Sequence, residues 1–189
     1  PLTFSDLPAV TRSFHLEYLH RSLYSRNKHF LMRNTNSSPI CPHCNEIGTS
    51  AHILNDCFLA QMIKRSFKAF FKHKNWKNSL IMDETFLEFF WWVPKIWSHR
   101  EYKELWSVWA EVRRHAHACD SLPRFERFGP QHFMAKMQTA FRLAAEVAYV
   151  NRFKLATELC NFVIDIDIRQ CQKWYLDIEK QTRRTAFQQ

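Results

Sequence analysis

Apolar side chains recur at intervals of three to four residues along most of this chain, which is the spacing of one face of an α-helix. The pattern predicts one helix that runs from near His52 through Cys57 to about His73, and further helices that begin at Ser98 and at Pro130. The apolar residues predicted to face the core are Leu59, Ile63, Phe67 and Phe70 or Phe71 on the helix after Cys57, and Val10, Phe14, Tyr18, Leu19 and Leu23 on an N-terminal helix.

The segment Val163–Ile168 alternates apolar and acidic residues in the manner of a β-strand. No partner strand is recognisable elsewhere, so a helix is the favoured interpretation of this segment. Asp165 and Asp167 within it are interpreted as polar residues at a helix start. The chain also contains only 2 glycines, far fewer than turn-rich sheet proteins use. The predicted fold class is therefore all-α, a multi-helix body that carries a small CCHC zinc-binding turn-helix subdomain.

The zinc-binding prediction comes from a second pattern, which reads C-x2-C-x7-H-x4-C over residues 41–57. Thiolate and imidazole groups are the ligands that structural zinc prefers, and four of them close its tetrahedron, so the spacing predicts one structural Zn²⁺ ion. Four protein ligands leave no open coordination position, which argues against a catalytic metal. The predicted ligands are Cys41, Cys44, His52 and Cys57.

Residues beside the ligands indicate how the site is shaped. Gly48 is the loop residue able to adopt a positive φ, and Thr49 or Ser50 is expected to cap the helix that begins near His52. His43 lies inside the motif and competes with His52 as the imidazole ligand. In the alternative interpretation the cysteines are unpaired or form a disulfide, although a count of 6 in 189 residues is modest for a disulfide-rich protein.

Basic side chains are concentrated in the same part of the chain. Residues 1–80 contain 11 Lys and Arg against 4 Asp and Glu, and residues 81–189 contain 16 against 14, so most of the net charge of +9 surrounds the metal-binding pattern. A positive field of this kind attracts polyanions, although a solvated helix face is the alternative. No acidic residue lies between Asp56 and Asp83. The candidate nucleic-acid-binding residues are Arg26, Lys28, Arg33, Lys64, Arg65, Lys68 and Lys72.

Charge and aromatic content together divide the chain into two predicted parts. Residues 1–80 form a basic helical and zinc-binding region, and residues 81–189 form an aromatic-rich helical body. Near the end of the helix that begins at Ser98, His115 and Cys119 lie one turn apart, but two further ligands for a second metal are missing. They are interpreted as ordinary residues near a helix end.

The motif and its surroundings resemble the zinc-binding region that lies C-terminal to the reverse transcriptase of non-LTR (LINE-type) retrotransposons. The match is specific over residues 41–57, including Glu46-Ile47-Gly48-Thr49 in the loop, and looser over about 12–115, where a basic stretch from His20 to Asn36 precedes the first cysteine. The tryptophans compared with the aromatic helices of that family are Trp91, Trp92, Trp97, Trp106 and Trp109. The resemblance implies a region that holds template RNA and target DNA beside the polymerase, with zinc ligands that correspond to Cys41, Cys44, His52 and Cys57.

Two catalytic signatures of that family do not occur in this chain. It contains no Tyr/Phe-x-Asp-Asp sequence for the polymerase and no Pro-Asp dipeptide for the endonuclease that some members carry. The chain is therefore interpreted as part of a larger polymerase, or as a relative without catalysis.

The leading functional hypothesis is a non-catalytic, zinc-stabilised module that binds RNA or DNA through phosphates, with exposed rings such as Phe30 or Trp76 stacking on bases. The alternative is a structural RNA-binding subunit of a large ribonucleoprotein, such as a mitochondrial ribosome, that contacts other protein subunits. A nuclease is a third hypothesis, disfavoured because the acidic residues are scattered. No apolar run approaches the ~20 residues of a membrane span, so no membrane partner is expected. The choice between RNA and DNA, the oligomeric state and the compartment are left open.

Overall fold

The computed structural model describes residues 9–20, 25–32, 39–41, 46–76, 97–118 and 129–186. Within them the chain forms α-helices and one short π-helical turn, and the β pairing found there is a single antiparallel bridge between Ile40 and Ile47. The predicted all-α fold class is confirmed. The helices are α1 (Ala9–Leu19), α2 (Arg26–Leu31), α3 (Phe58–His73), α4 (His99–Ala118), α5 (Pro130–Val150), α6 (Lys154–Ile164) and α7 (Ile168–Ala186), and the π turn is His52–Asp56.

The core lies where α3 meets the helices of the C-terminal half. Helices α4, α5 and α6 pack against one another, and α3 contacts all three as well as α7. Aromatic rings form much of this contact, with Phe67 of α3 at 5.8 Å from Phe141 of α5 and Phe70 at 5.6 Å from Phe162 of α6, measured between ring centroids. The stripe predicted on α3 is confirmed, since its apolar members Leu59, Ile63, Phe67, Phe70 and Phe71 are all buried.

Local capping signals fix the starts of α4 and α5 at the predicted residues. The Glu101 carboxylate accepts hydrogen bonds from the Ser98 backbone N–H (2.7 Å) and hydroxyl (2.8 Å), and the Glu101 N–H donates to the Ser98 hydroxyl (3.2 Å). This reciprocal arrangement is a capping box, encoded by four consecutive residues. Pro130 occupies the first turn of α5, where backbone N–H groups have no intrahelical partner, so the absence of an N–H in proline costs no hydrogen bond.

The helix favoured for Val163–Ile168 is interrupted within that segment, because α6 ends at Ile164 and α7 begins at Ile168. The break follows from Asp167, whose side-chain oxygen accepts the backbone N–H of Arg169 (3.0 Å) while its carbonyl accepts those of Gln170 and Cys171. Asp167 is therefore a polar residue at a helix start, as predicted. Asp165 instead closes α6, donating its N–H to the Asn161 carbonyl (3.0 Å).

The orientation of α1 differs from its apolar pattern. Val10 was predicted to face the core but is 59% exposed, whereas Thr11 is fully buried. The Thr11 hydroxyl donates a hydrogen bond to the buried carboxylate of Glu111 on α4. Because a buried charge is costly without hydrogen-bond donors, this contact determines which face of α1 is directed towards the core. Residues 1–8 and 77–96 lie outside the described part of the chain, so the predicted division near residue 80 remains a prediction.

Candidate metal centre

A short hairpin-like turn positions the first candidate ligand, Cys41. Ile40 and Ile47 form the antiparallel bridge, the Cys41 N–H donates to the Glu46 carbonyl (2.7 Å), and the Gly48 N–H donates to the Pro39 carbonyl (2.7 Å). These bonds hold Cys41 at the base of the turn, where it is 1% exposed.

Gly48 contributes to this turn in a way that the sequence did not predict. It was expected to adopt a positive φ, but no glycine in the described residues does so. Instead Gly48 is buried, and both of its backbone groups are hydrogen-bonded, because its carbonyl also accepts the N–H of Asn27 on α2 (3.2 Å). Its role is to join the turn to α2 by backbone contacts.

The π turn His52–Asp56 positions the other two candidate ligands. Thr49, one of the two residues predicted to cap a helix here, precedes the helical residues that lead into the π turn, and its hydroxyl oxygen accepts the His52 N–H at 3.1 Å. The Cys57 N–H then donates to the His52 carbonyl at 2.8 Å, an i to i+5 bond. In an α-helix residues five apart point about 140° away from each other, whereas the i to i+5 bond of a π turn stacks them on one side. The π turn therefore directs the side chains of His52 and Cys57 to one point.

The prediction of one continuous helix from His52 to His73 is corrected by this geometry. At Cys57 the backbone leaves the helical conformation (φ −57°, ψ 147°), and α3 begins afresh at Phe58. The interruption lets Cys57 serve both elements, because its N–H closes the π turn and its carbonyl accepts the Gln61 N–H of α3 at 2.9 Å.

The turn and the π turn bring Cys41, His52 and Cys57 together, near enough to hold a metal ion. Their ligand atoms all lie within 4.8 Å of one another, and the Cys41 and Cys57 sulfurs are 3.7 Å apart. A disulfide needs a separation of about 2.0 Å. Two sulfurs on one tetrahedral zinc, with bonds of about 2.3 Å, are about 3.8 Å apart. The three residues are the one such group among the described parts of the chain. Cys44 and the competing His43 lie outside the described residues.

A buried arginine that sequence reasoning missed holds the middle of the π turn. Arg113 of α4 is 4% exposed and donates to the Leu54 carbonyl (3.0 Å) and to the side-chain oxygen of Asn55. Its guanidinium lies over the Trp109 ring, 4.4 Å from the centroid. Leu54 and Asn55 stand between His52 and Cys57 in the chain, so Arg113 fixes the segment that separates two candidate ligands.

A second buried charge, Glu111, lies two residues before Arg113 on α4. Its carboxylate accepts hydrogen bonds from Thr11, Arg114 (2.6 Å) and His115 (3.2 Å). Burial alone would raise the pKa of Glu111, but these hydrogen bonds lower that pKa from 4.5 to about 2. His115 is thus a partner of a buried carboxylate, and Cys119, with which it was paired in sequence, lies outside the described residues.

The structure gathers three of the candidate nucleic-acid-binding residues at one place. Lys64, Arg65 and Lys68 of α3 line an open cleft of about 590 Å³ beside the π turn, whereas Lys72, one turn further along α3, is exposed outside it. Arg33 lies outside the described residues, as do the side chains of Arg26 and Lys28 on α2. Although the sequence around α3 lacks acids, the fold supplies them from elsewhere, placing Asp177 of α7 by Arg65 (3.5 Å) and Glu158 of α6 by Lys74.

The two rings proposed to stack on bases lie in different environments. Phe30 on α2 is 45% exposed. Trp76 is half-buried and packs against Phe70, Phe71 and Trp97, with centroid separations of 5.3 to 6.3 Å. The expectation that Trp76 is an exposed ring is therefore wrong, because it closes the aromatic end of the core.

Comparison with family models, with curated proteins and with solved structures found no match to this chain. Among the described helices, none is long and apolar enough to cross a membrane.

Proposed function

We propose that Cys41, His52 and Cys57 bind one structural zinc ion, with Cys44 as the fourth ligand. The sulfur separation of 3.7 Å supports zinc because it matches the edge of a tetrahedral thiolate site. Thiolate and imidazole donors also suit zinc better than magnesium or calcium, which prefer oxygen. With four protein ligands the ion has no position for a substrate water, and its contribution is to hold the hairpin-like turn against the π turn.

We further propose that the protein is a non-catalytic nucleic-acid-binding module, similar to the tail of a non-LTR reverse transcriptase. The observation that carries this proposal is the position of Lys64, Arg65 and Lys68, which line one cleft directly beside the metal-binding π turn. Three cations held at one edge of a folded scaffold suit the regularly spaced phosphates of RNA or DNA. The metal and Arg113 keep that edge rigid, so its charges are preorganised for binding.

A second candidate function, a structural subunit of a large ribonucleoprotein, is favoured by one apolar feature. Tyr149 and Val150 at the end of α5 are each 78% exposed, and together with Phe153 they line an open cleft of about 650 Å³. An apolar surface of this kind is typical of a contact with another protein. In this alternative the same basic cleft contacts ribosomal or other structural RNA.

The test is metal content measured together with binding to single-stranded RNA and DNA oligonucleotides over a salt series. Wild type is compared with Cys44→Ser and with Cys160→Ala, a control that removes a buried thiol outside the metal cluster. We expect one zinc per chain in wild type and the control, and affinity that falls steeply with salt because counterions are released from phosphates. Cys44→Ser should lose both zinc and binding. One zinc without binding to either nucleic acid would refute the module and the RNA contact of the second candidate, and would leave a packing subunit whose partners are proteins.

A further inference from the structure

The cleft beside the π turn has the composition of a phosphate-binding site. Its cationic wall is formed by Lys64, Arg65 and Lys68 of α3, and amide groups from two other elements complete it, Asn55 of the π turn and Gln181 of α7. Cations combined with neutral hydrogen-bond donors are what a phosphate group needs, because its oxygens accept several hydrogen bonds at once. The volume of about 590 Å³ lies within the range of ligand sites.

Arg65 is already held in position at one side of this cleft. Its two terminal nitrogens donate separately, one to the Asp177 carboxylate at 3.5 Å and the other to the Gln181 side-chain oxygen at 3.2 Å. Charged hydrogen bonds between a guanidinium and a carboxylate are normally about 2.7–2.9 Å long, so the bond to Asp177 is a loose one. An incoming phosphate oxygen is able to form a shorter bond to Arg65 than Asp177 does.

Another part of the cleft wall belongs to the π turn. Asn55 and Asp56 line it, and they directly precede the candidate ligand Cys57. Gln61 of α3 donates its side-chain N–H to the Asp56 carbonyl at 2.8 Å, and Arg113 holds the Asn55 side chain. The shape of this part of the cleft therefore depends on the π turn. The three cations outnumber the two carboxylates near them, those of Asp56 and Asp177.

We propose that this cleft is the subsite at which the protein holds one backbone phosphate of a nucleic acid, and that its geometry depends on the metal. The inference rests on the proposed function and deepens it. Lys68 and Arg65 contact the phosphate oxygens, Asn55 and Gln181 add neutral donors, and Asp177 is the carboxylate that the phosphate displaces from Arg65.

The principal test compares two lysines of the same helix. Lys68→Gln removes a charge that lines the cleft, and Lys72→Gln removes an exposed charge one turn away that does not. Binding of zinc-loaded protein to fluorescein-labelled oligo(dT) and oligo(U) is measured at 0.15 M salt, with circular dichroism and zinc content as checks on folding. We expect affinity to fall about tenfold or more for Lys68→Gln and about twofold or less for Lys72→Gln.

Equal losses in the two variants would overturn the subsite while leaving the nucleic-acid-binding function intact, because diffuse attraction treats both lysines alike. No binding of wild type to either oligonucleotide would overturn the subsite and the proposed function together. Inorganic pyrophosphate is titrated separately. If it binds with Lys68 dependence while the oligonucleotides do not bind, the cleft holds a small phosphate compound, and the nucleic-acid assignment is overturned.

A second pair of variants tests whether the phosphate displaces Asp177 from Arg65, and the expected result is a gain of affinity for the oligonucleotides. Asp177→Asn removes the competitor for Arg65 and should raise affinity by up to about fivefold. Asp165→Asn removes the same charge before the start of α7, at least about 13 Å away along the helix, and should change affinity little. Equal gains from both variants, or a loss from Asp177→Asn, would contradict the exchange of partners.

Zinc removal with a chelator should weaken oligonucleotide binding at least as much as Lys68→Gln, and unchanged binding would contradict the metal dependence.

Discussion

Replacing Arg113 with methionine tests whether a buried cation holds in place the π turn beside the candidate metal ligands. Methionine keeps an unbranched, flexible apolar side chain of similar length but removes the guanidinium. The substitution deletes the hydrogen bonds to the Leu54 carbonyl and the Asn55 side chain, and the contact with the Trp109 ring. Two buried acceptors between His52 and Cys57 then lose their donor.

The expected loss of stability follows from these contacts. Hydrogen bonds that involve a charged group contribute about 1.5–3 kcal/mol each, and a desolvated cation over an aromatic ring about 2 kcal/mol. The methionine restores part of the packing, and neighbouring contributions are not additive. We therefore expect the free energy of unfolding to fall by about 3–5 kcal/mol. Replacing a residue that orients metal ligands typically lowers metal affinity by about 10–100-fold. We expect the zinc affinity of Arg113→Met to be lowered by a factor in that range.

The assay is urea unfolding of the zinc-loaded protein, followed by competition for zinc with a chromogenic chelator. The matched control is Arg100→Met on the same helix, since the Arg100 side chain is 71% exposed and forms an i to i+4 pair with Glu104 at 3.1 Å. Because the Glu104 carboxylate is only 4% exposed but keeps the N–H groups of Leu155 and Ala156 as donors, losing Arg100 should cost about 1–2 kcal/mol, less than Arg113→Met. If Arg113→Met behaves like Arg100→Met in both measurements, Arg113 does not hold the π turn, and the reasoning is refuted.

Three further outcomes are expected. Removing the metal with a chelator should expose the backbone amides of Cys41 and Cys57 to hydrogen exchange while amides in the middle of α5 stay protected; uniform loss of protection would show that the metal supports the whole core. The pKa of Glu111 is lowered from 4.5 to about 2 by folding, so between these pH values the unfolded state binds a proton that the folded state does not. About 3 kcal/mol of the free energy of unfolding is therefore present above pH 4.5 and should be lost as the pH falls towards 2. Glu111→Gln should remove that component in acid unfolding, and a slope equal to that of wild type would contradict the assignment. Burial raises the pKa of the Cys160 and Cys171 thiols to about 12 and 11, so iodoacetamide at neutral pH should leave both unmodified in the folded protein even after chelation, as mass spectrometry can check.

Features encoded by neighbouring residues were predictable from the sequence. The start of a helix at Ser98 and the apolar stripe of α3 depend on spacing within one helix, and both are confirmed. The grouping of Cys41, His52 and Cys57 was predictable because metal-ligand spacing is itself a local pattern. Even the π turn had a signal, since two ligands five residues apart cannot share one side of an α-helix.

Features that depend on distant partners were not predictable from a single sequence. Arg113 and Glu111 look like surface charges in a helical pattern, yet Arg113 contacts a carbonyl 59 residues away and Glu111 a hydroxyl 100 residues away. The inward turn of Thr11 follows from the same contact, which explains why Val10 was misplaced. Likewise the acid-free stretch around α3 gave no indication that α7 would place Asp177 beside Arg65.

In the proposed function, the π turn connects the metal site, the core and the phosphate subsite. Its ends carry the ligands His52 and Cys57, its Leu54 carbonyl accepts Arg113 from α4, and its Asn55 faces the cleft. A turn held at its ends by a metal and at its middle by a buried arginine has little freedom to rearrange, so the cleft is rigid before a phosphate arrives. Loss of zinc releases the ends and loss of Arg113 releases the middle. Each should weaken phosphate binding without removing any cation from the cleft, and this separates a preorganised subsite from simple attraction between charges.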